Sequence, residues 1–230
     1  MKRYAIYAVP GTGGEHDSAE ARALKSVVDS WYARPDLQDL TVSTRRYGFH
    51  ATLVAPFHLA GAHTEGDLIE AVQAFTNGRD PVVIPAPHPA AMGSFRALRA
   101  GGDQSELNEF AASVVREFDH FRAPLSEADV HRRRAPHLTW RQRELFDRWG
   151  YPYVFDEFTF HLTLTDALPA ERTVEVDAAL AQHFAGVAGV DVPLTGLTIS
   201  VEPEPGAAFE VLAVSPFVHP LAHSFALETI

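Results

Sequence analysis

The chain has 230 residues, 19 Lys plus Arg against 30 Asp plus Glu, no cysteine and twelve histidines. That length supports one large domain or two small lobes burying roughly 70% of the unfolded surface. The missing thiols exclude disulfides, thiolate metal sites, iron–sulfur clusters and a cysteine nucleophile.

A formal charge of −11 speaks against a broad nucleic-acid surface, because phosphate-backbone affinity comes from summed positive charge. A small anion held by a few arginines fits better. Lys2 and Lys25 are the only lysines. Neither sits where a P-loop or a Schiff-base enzyme needs one. The first ten residues hold about six apolar ones, short of the roughly 7–15 of a secretory signal. No stretch approaches the roughly 20 apolar residues of a membrane span. The chain reads as cytoplasmic, without a membrane partner.

Tyr4–Val9 is apolar and aromatic, ends at Pro10 and a glycine cluster, and reads as a strand. Ala21, Leu24, Val28 and Trp31 recur at helical spacing across Ser18–Ala33. Phe49–Phe57 alternates as a strand does, and Thr64–Phe75 reads as a helix with Leu68, Val72 and Phe75 on one face. Met92–Arg99 reads as one strand, and Ser105–Phe121 as a helix carrying Leu107, Phe110, Val114 and Phe118. The arginine-rich Ser126–Pro136 looks like a connection between halves. Beyond it come a helix at Thr139–Trp149, a strand at Phe158–Thr165 and a helix at Thr173–Phe184. Leu197–Glu202 and Phe209–Val214 flank Pro203-Glu204-Pro205-Gly206 as a hairpin. Strands among antiparallel-friendly turns, with separate helices, predict an α+β fold.

Two segments stand out. Phe49-His50-Ala51-Thr52-Leu53 and Phe160-His161-Leu162-Thr163-Leu164 differ at one position and lie one in each half of the chain, as an internal duplication would leave them. A bare His-x-Thr is expected roughly 0.7 times by chance at this composition, but the version flanked by Phe and Leu only roughly 0.004 times. A third copy, His137/Thr139, lacks that context. Thr139-x-x-Gln142 is a capping-box signature, so Thr139 is read as a helix cap.

On a strand, residues i and i+2 project from one face, so each of the other two histidines points the same way as its threonine. Two such strands around one cavity would gather His50, His161, Thr52 and Thr163. Imidazoles titrate near pH 6.5, so one can take a proton from a nucleophile while the other gives one to a leaving group. The hydroxyls can donate to oxygens that gain charge at phosphorus. This chemistry needs no metal and no cofactor. The competing reading is a pair of satisfied core histidines.

The paired motifs resemble those of the two-histidine (2H) phosphoesterase superfamily. The longer strings Tyr47–Leu53 and Arg148-Trp149-Gly150-Tyr151-Pro152-Tyr153, with Tyr4–Pro10 and Phe95–Arg99, are similar to a branch found in bacterial phosphonate-utilisation operons. The resemblance implies a bilobal, pseudo-twofold α+β fold, with two antiparallel sheets facing a central cleft and helices outside. The single domain would span 1–230, with lobes at about 1–123 and 126–230 whose terminal strands can exchange. His50 and His161 would be base and acid in an order left open, and Thr52 and Thr163 would hold phosphoryl oxygens. The reaction would be hydrolysis of a small cyclic phosphodiester such as 5-phosphoribosyl 1,2-cyclic phosphate, opened to the bisphosphate. An RNA-end cyclic phosphodiesterase or ligase and a silent nucleotide- or sugar-phosphate-binding module are the alternatives. The oligomeric state is not legible.

That branch often has a basic residue where this chain has Val54, which shares the parity of His50 and Thr52. The substitutes singled out are Arg46, on the same parity if the strand is continuous, Arg99 and the hydroxyl of Tyr47. Arg132-Arg133-Arg134 reads as a solvated linker. Gly11–Gly14 reads as a loop without a dinucleotide fingerprint. His219 and His223 have helical spacing, but Pro220 interrupts them and no carboxylate joins them, so no metal site is read.

Overall fold

Elements form where local periodicity and end signals agree. The computed structural model describes residues 1–127, 129–130 and 138–218. In chain order these form β1 (Arg3–Ala8), α1 (Ala19–Tyr32), α2 (Val42–Tyr47), β2 (Ala51–Phe57) and α3 (Glu65–Thr76). There follow β3 (Val82–Ile84), β4 (His88–Met92), β5 (Phe95–Arg99), α4 (Ser105–Phe118) and α5 (Trp140–Trp149). The last are β6 (His161–Thr163), α6 (Thr173–His183), β7 (Val192–Leu194), β8 (Gly196–Glu202) and β9 (Glu210–Pro216). His131, Arg132–Arg134, His137, His219 and His223 lie outside the described residues.

The helices follow the expected faces. Ala21, Leu24, Val28 and Trp31 of α1, and Leu107, Phe110, Val114 and Phe118 of α4, are buried. The Ser18 hydroxyl caps α1, and Thr64 with Asp67 forms a capping box on α3. Thr139 and Gln142 form the same box on α5, as their spacing predicts.

The sheets are antiparallel. One has the order β2-β1-β8-β9, another β4-β5-β6, and β3 pairs with β7 in a small third. Each larger sheet therefore draws strands from both halves of the chain, so the boundary near residue 123 separates neither. β1, in the middle of its sheet, is buried from Tyr4 to Ala8. One main core joins α1, α3, α4 and α6 with all three sheets, through residues such as Trp31, Ile6, Phe118 and Leu162. No helix among the described residues is long and apolar enough to cross a membrane.

Three expectations need correction. Met92–Arg99 is not one strand: Gly93, at φ +59°, turns the chain so that Met92 faces Phe95 in a tight hairpin. The strand expected at Phe158–Thr165 is regular only over His161–Thr163: a 3-10 turn at Phe155–Glu157 lies just before the segment, and past Thr163 the nitrogens of Leu164 and Thr165 both donate to the single carbonyl of Arg96, which breaks the ladder. The segment before His50 is helical, and Gly48 at φ +74° ends α2 before β2 begins. Because α5 depends on its cap, Thr139→Ala is expected to cost about 1 kcal/mol, read as a lower urea midpoint at constant slope.

Candidate active site

The flanking residues of each motif anchor it. Phe49 and Leu53 are buried on one side of β2, and Phe160 and Leu164 beside β6, while His50, Thr52, His161 and Thr163 are only partly covered. Alternation alone produces this arrangement. β2 and β6 come within 8 Å of each other, Cα to Cα, each at the edge of its own sheet. Thr52, Thr163 and His50 line a cleft of about 730 Å³ between the sheets. His161 projects from the Thr163 face of β6.

The two imidazoles are held alike. His50 Nδ1 lies 2.9 Å from the Gly48 carbonyl oxygen and His161 Nδ1 lies 2.9 Å from that of Thr159, two residues back in each case. A carbonyl only accepts, so Nδ1 carries the hydrogen and Nε2 keeps the lone pair. The His50 ring stacks on Tyr7, centroids 3.9 Å apart and planes at 27°. Burial pushes the His50 imidazole down to about 4, and the nearby His161 adds to this. Burial also lowers His161, helped by Arg99 directly opposite on β5.

Other contacts tie the two motifs together. The Asp166 carboxylate accepts from Ser43 N (2.8 Å), Thr44 N (2.9 Å) and Thr44 Oγ1 (2.9 Å), at the start of the helix leading into His50. Asp166 N in turn donates to Leu40 O at 2.7 Å. From α1, the Tyr32 hydroxyl donates to Thr163 O (2.6 Å) and Trp31 Nε1 to Leu164 O (3.0 Å).

Of the predicted substrate contacts, Tyr47 lines the cleft, its ring stacked on Phe209 at 5.2 Å. Arg99 stands across from His161 and makes no ion pair among the described residues. Arg46 does not share the parity of His50, because it lies on α2. Its guanidinium donates to Ala207 O (3.1 Å) and Glu202 Oε1 (3.3 Å). Val54 also departs from the expected parity. Register shifts between β1 and β2 set it opposite Ile6, packed against the core, while Ala55 and Pro56 line the cleft. A basic side chain at position 54 would therefore not face the histidines.

Sequence reasoning missed Arg3, Tyr7, Tyr153 and Asp166, all of which line the cleft. Only Asp166, three residues beyond Thr163, carried a positional hint. Among the described residues no three His, Asp or Glu are grouped to hold a metal ion.

Residues 52–210 match the model of the family described as "Protein of unknown function (DUF1045)". The chain belongs to this family. The DUF1045 match starts at Thr52 and contains His161 and Thr163, with His50 two residues before it. A relative named ribose 1,5-bisphosphate phosphokinase PhnN, from Janthinobacterium sp. (strain Marseille), is 37% identical over 94% of this chain and 51% of its own length. One of the same name from Laribacter hongkongensis (strain HLHK9) is 33% identical over 91% of this chain and 50% of its own. The chain thus spans about half the length of the curated relatives it matches. The crystal structure of TT0787 of Thermus thermophilus aligns with a TM-score of 0.48 at 14% identity, covering 94% of this chain and 97% of that one.

Two outcomes are expected. Asp166→Ala removes three hydrogen bonds to α2 and should cost about 1–3 kcal/mol, measured by denaturant unfolding, with Asp166→Asn intermediate. An unfolded imidazole binds its proton near pH 6.5, whereas His50 in the fold binds it only near 4. The folded state therefore loses stability as pH falls from about 6.5 towards 4. Thermal melts should show a smaller drop in Tm between pH 7 and pH 5 for His50→Gln than for wild type.

Proposed function

We propose that this DUF1045 chain is a metal-independent phosphodiesterase that opens a small cyclic phosphate by acid–base catalysis between its two histidines. What supports this is that His50, Thr52 and Thr163 line one cleft with His161 close to His50 on the adjoining strand, each imidazole held through Nδ1 so that Nε2 is the nitrogen left for proton transfer.

His50 is the base. Its low proton affinity keeps Nε2 unprotonated at neutral pH, ready to take a proton from water as the water oxygen attacks phosphorus. His161 is the acid. An imidazolium beside Arg99 gives up its proton more readily than a free one, and that proton goes to the ester oxygen leaving phosphorus. One P–O bond forms, one breaks, and a cyclic diester becomes a monoester. Thr52 and Thr163 donate to the non-bridging oxygens, where negative charge grows. The positive charge of Arg99 draws the anion to the His161 side.

The relatives' name points to a substrate. Breaking the P–O2 bond of 5-phosphoribosyl 1,2-cyclic phosphate yields ribose 1,5-bisphosphate, the compound that the named kinase phosphorylates. This supports a place in phosphonate catabolism, which the family resemblance also implies. A P-loop lysine is absent here, since Lys2 follows Met1 and Lys25 follows Ala23-Leu24. We therefore assign the kinase activity to the part of those relatives that this chain does not match.

Purified in the presence of EDTA, the protein is expected to convert the ribosyl cyclic phosphate to the bisphosphate, followed by phosphorus NMR. His50→Ala and His161→Ala should each lose about 10²–10⁴-fold in turnover. Undiminished hydrolysis in both variants overturns the proposal. The pH profile of kcat/KM should peak on the acid side, between about 4 and the ordinary imidazole value, because both histidines are lowered.

A further inference from the structure

The cleft extends beyond the histidines. Its volume of about 730 Å³ is within the range that encloses a whole small ligand, well beyond one phosphodiester group. One side of it carries Arg3 and Tyr7 from β1, Tyr47 from α2 and Tyr151 from the segment after α5.

Arg3 is built in. Its Nε donates to Glu202, whose side chain is wholly buried, and its guanidinium lies near the Phe209 ring. Glu202 also accepts from Arg46 Nη2 at 3.3 Å and from Gly206 N at 3.0 Å. Glu202 thus sits between two guanidinium groups, and of the two it is Arg3 that reaches the cleft. Asp129, hydrogen-bonded by the Ser126 hydroxyl at 2.7 Å, also acts on Arg3.

The phenols converge on the same place. The Tyr7 and Tyr47 rings lie 6.1 and 5.2 Å from the Phe209 ring, centroid to centroid, the Arg3 guanidinium lies 6.0 Å from that same ring, and Tyr151 lines the same cleft. Burial pushes the Tyr7 hydroxyl far up, so it remains a neutral donor. A guanidinium with neighbouring hydroxyl donors suits a phosphate monoester, whose oxygens only accept hydrogen bonds when fully ionised. Arg99 lies elsewhere, opposite His161, where the reacting phosphate would sit.

We propose that Arg3, Tyr47 and Tyr151 form a second anion subsite, which takes a phosphomonoester carried by the same substrate whose cyclic phosphate reacts at the histidines. The catalytic half of this statement rests on the cyclic phosphodiesterase reading; the anion subsite does not. Specificity follows from the subsite: cyclic phosphates bearing a second phosphate bind better than those without one.

The test compares cytidine 2′,3′-cyclic phosphate with the same nucleotide carrying a 5′-phosphate, alongside calorimetric titration with ribose 5-phosphate. Wild type should prefer the doubly phosphorylated substrate by about tenfold or more in kcat/KM, chiefly through KM. Arg3→Gln and Tyr151→Phe should bring that ratio towards one, and Arg3→Lys should keep part of it. If Arg3→Gln fails to fold because Glu202 loses its partner, Arg3→Lys and Tyr151→Phe decide. A preference unaltered in every folded variant overturns the subsite. Turnover of neither substrate would count against the phosphodiesterase reading alone. The subsite is then upheld if ribose 5-phosphate binds wild type about tenfold more tightly than Tyr151→Phe, and overturned if both bind equally or not at all.

Discussion

The Asp166 carboxylate holds the site together. It arises three residues after Thr163 and accepts three hydrogen bonds from the first turn of α2, which runs through Tyr47 and Gly48 into His50. One short side chain thus links the two histidine segments, which are far apart in sequence. Its own backbone nitrogen returns to Leu40 O, so the link is two-way. Tyr32 and Trp31 of α1 secure the carbonyls of Thr163 and Leu164, whose strand pairs with β5. Together these hydrogen bonds hold the two histidine segments in one relative placement.

The same burial sets the chemistry. An imidazole taken from water resists protonation, and a second imidazole beside it resists further. The backbone carbonyl behind each ring works the other way, favouring the charged form and orienting Nε2. Arg99 contributes from the neighbouring strand, lowering His161 while adding positive charge.

Much of the fold is legible locally. The α1 and α4 faces follow from apolar spacing, and the Thr139 cap follows from Gln142 three residues on. The same-face placement of His50 with Thr52, and of His161 with Thr163, needs only strand alternation. Parity failed where the chain is irregular. Arg46 lies on a helix ended by Gly48, and Val54 follows a register shift, so neither shares the face of His50. Alternation gives no sign of such a bulge, which arises from pairing with a partner strand.

The candidate site residues can be read from the sequence alone: two histidines and two threonines in matching contexts, in a chain without thiols and almost without lysine. These are periodic, local properties, written within five residues. The composition of the sheets, with β8 beside β1 and β6 beside β5, emerges only in three dimensions. So do the clasp of Asp166 on α2 and the place of Arg3 over Glu202 at the cleft wall. Those contacts join residues more than a hundred positions apart, and burial and charge select them only once the chain has closed on itself.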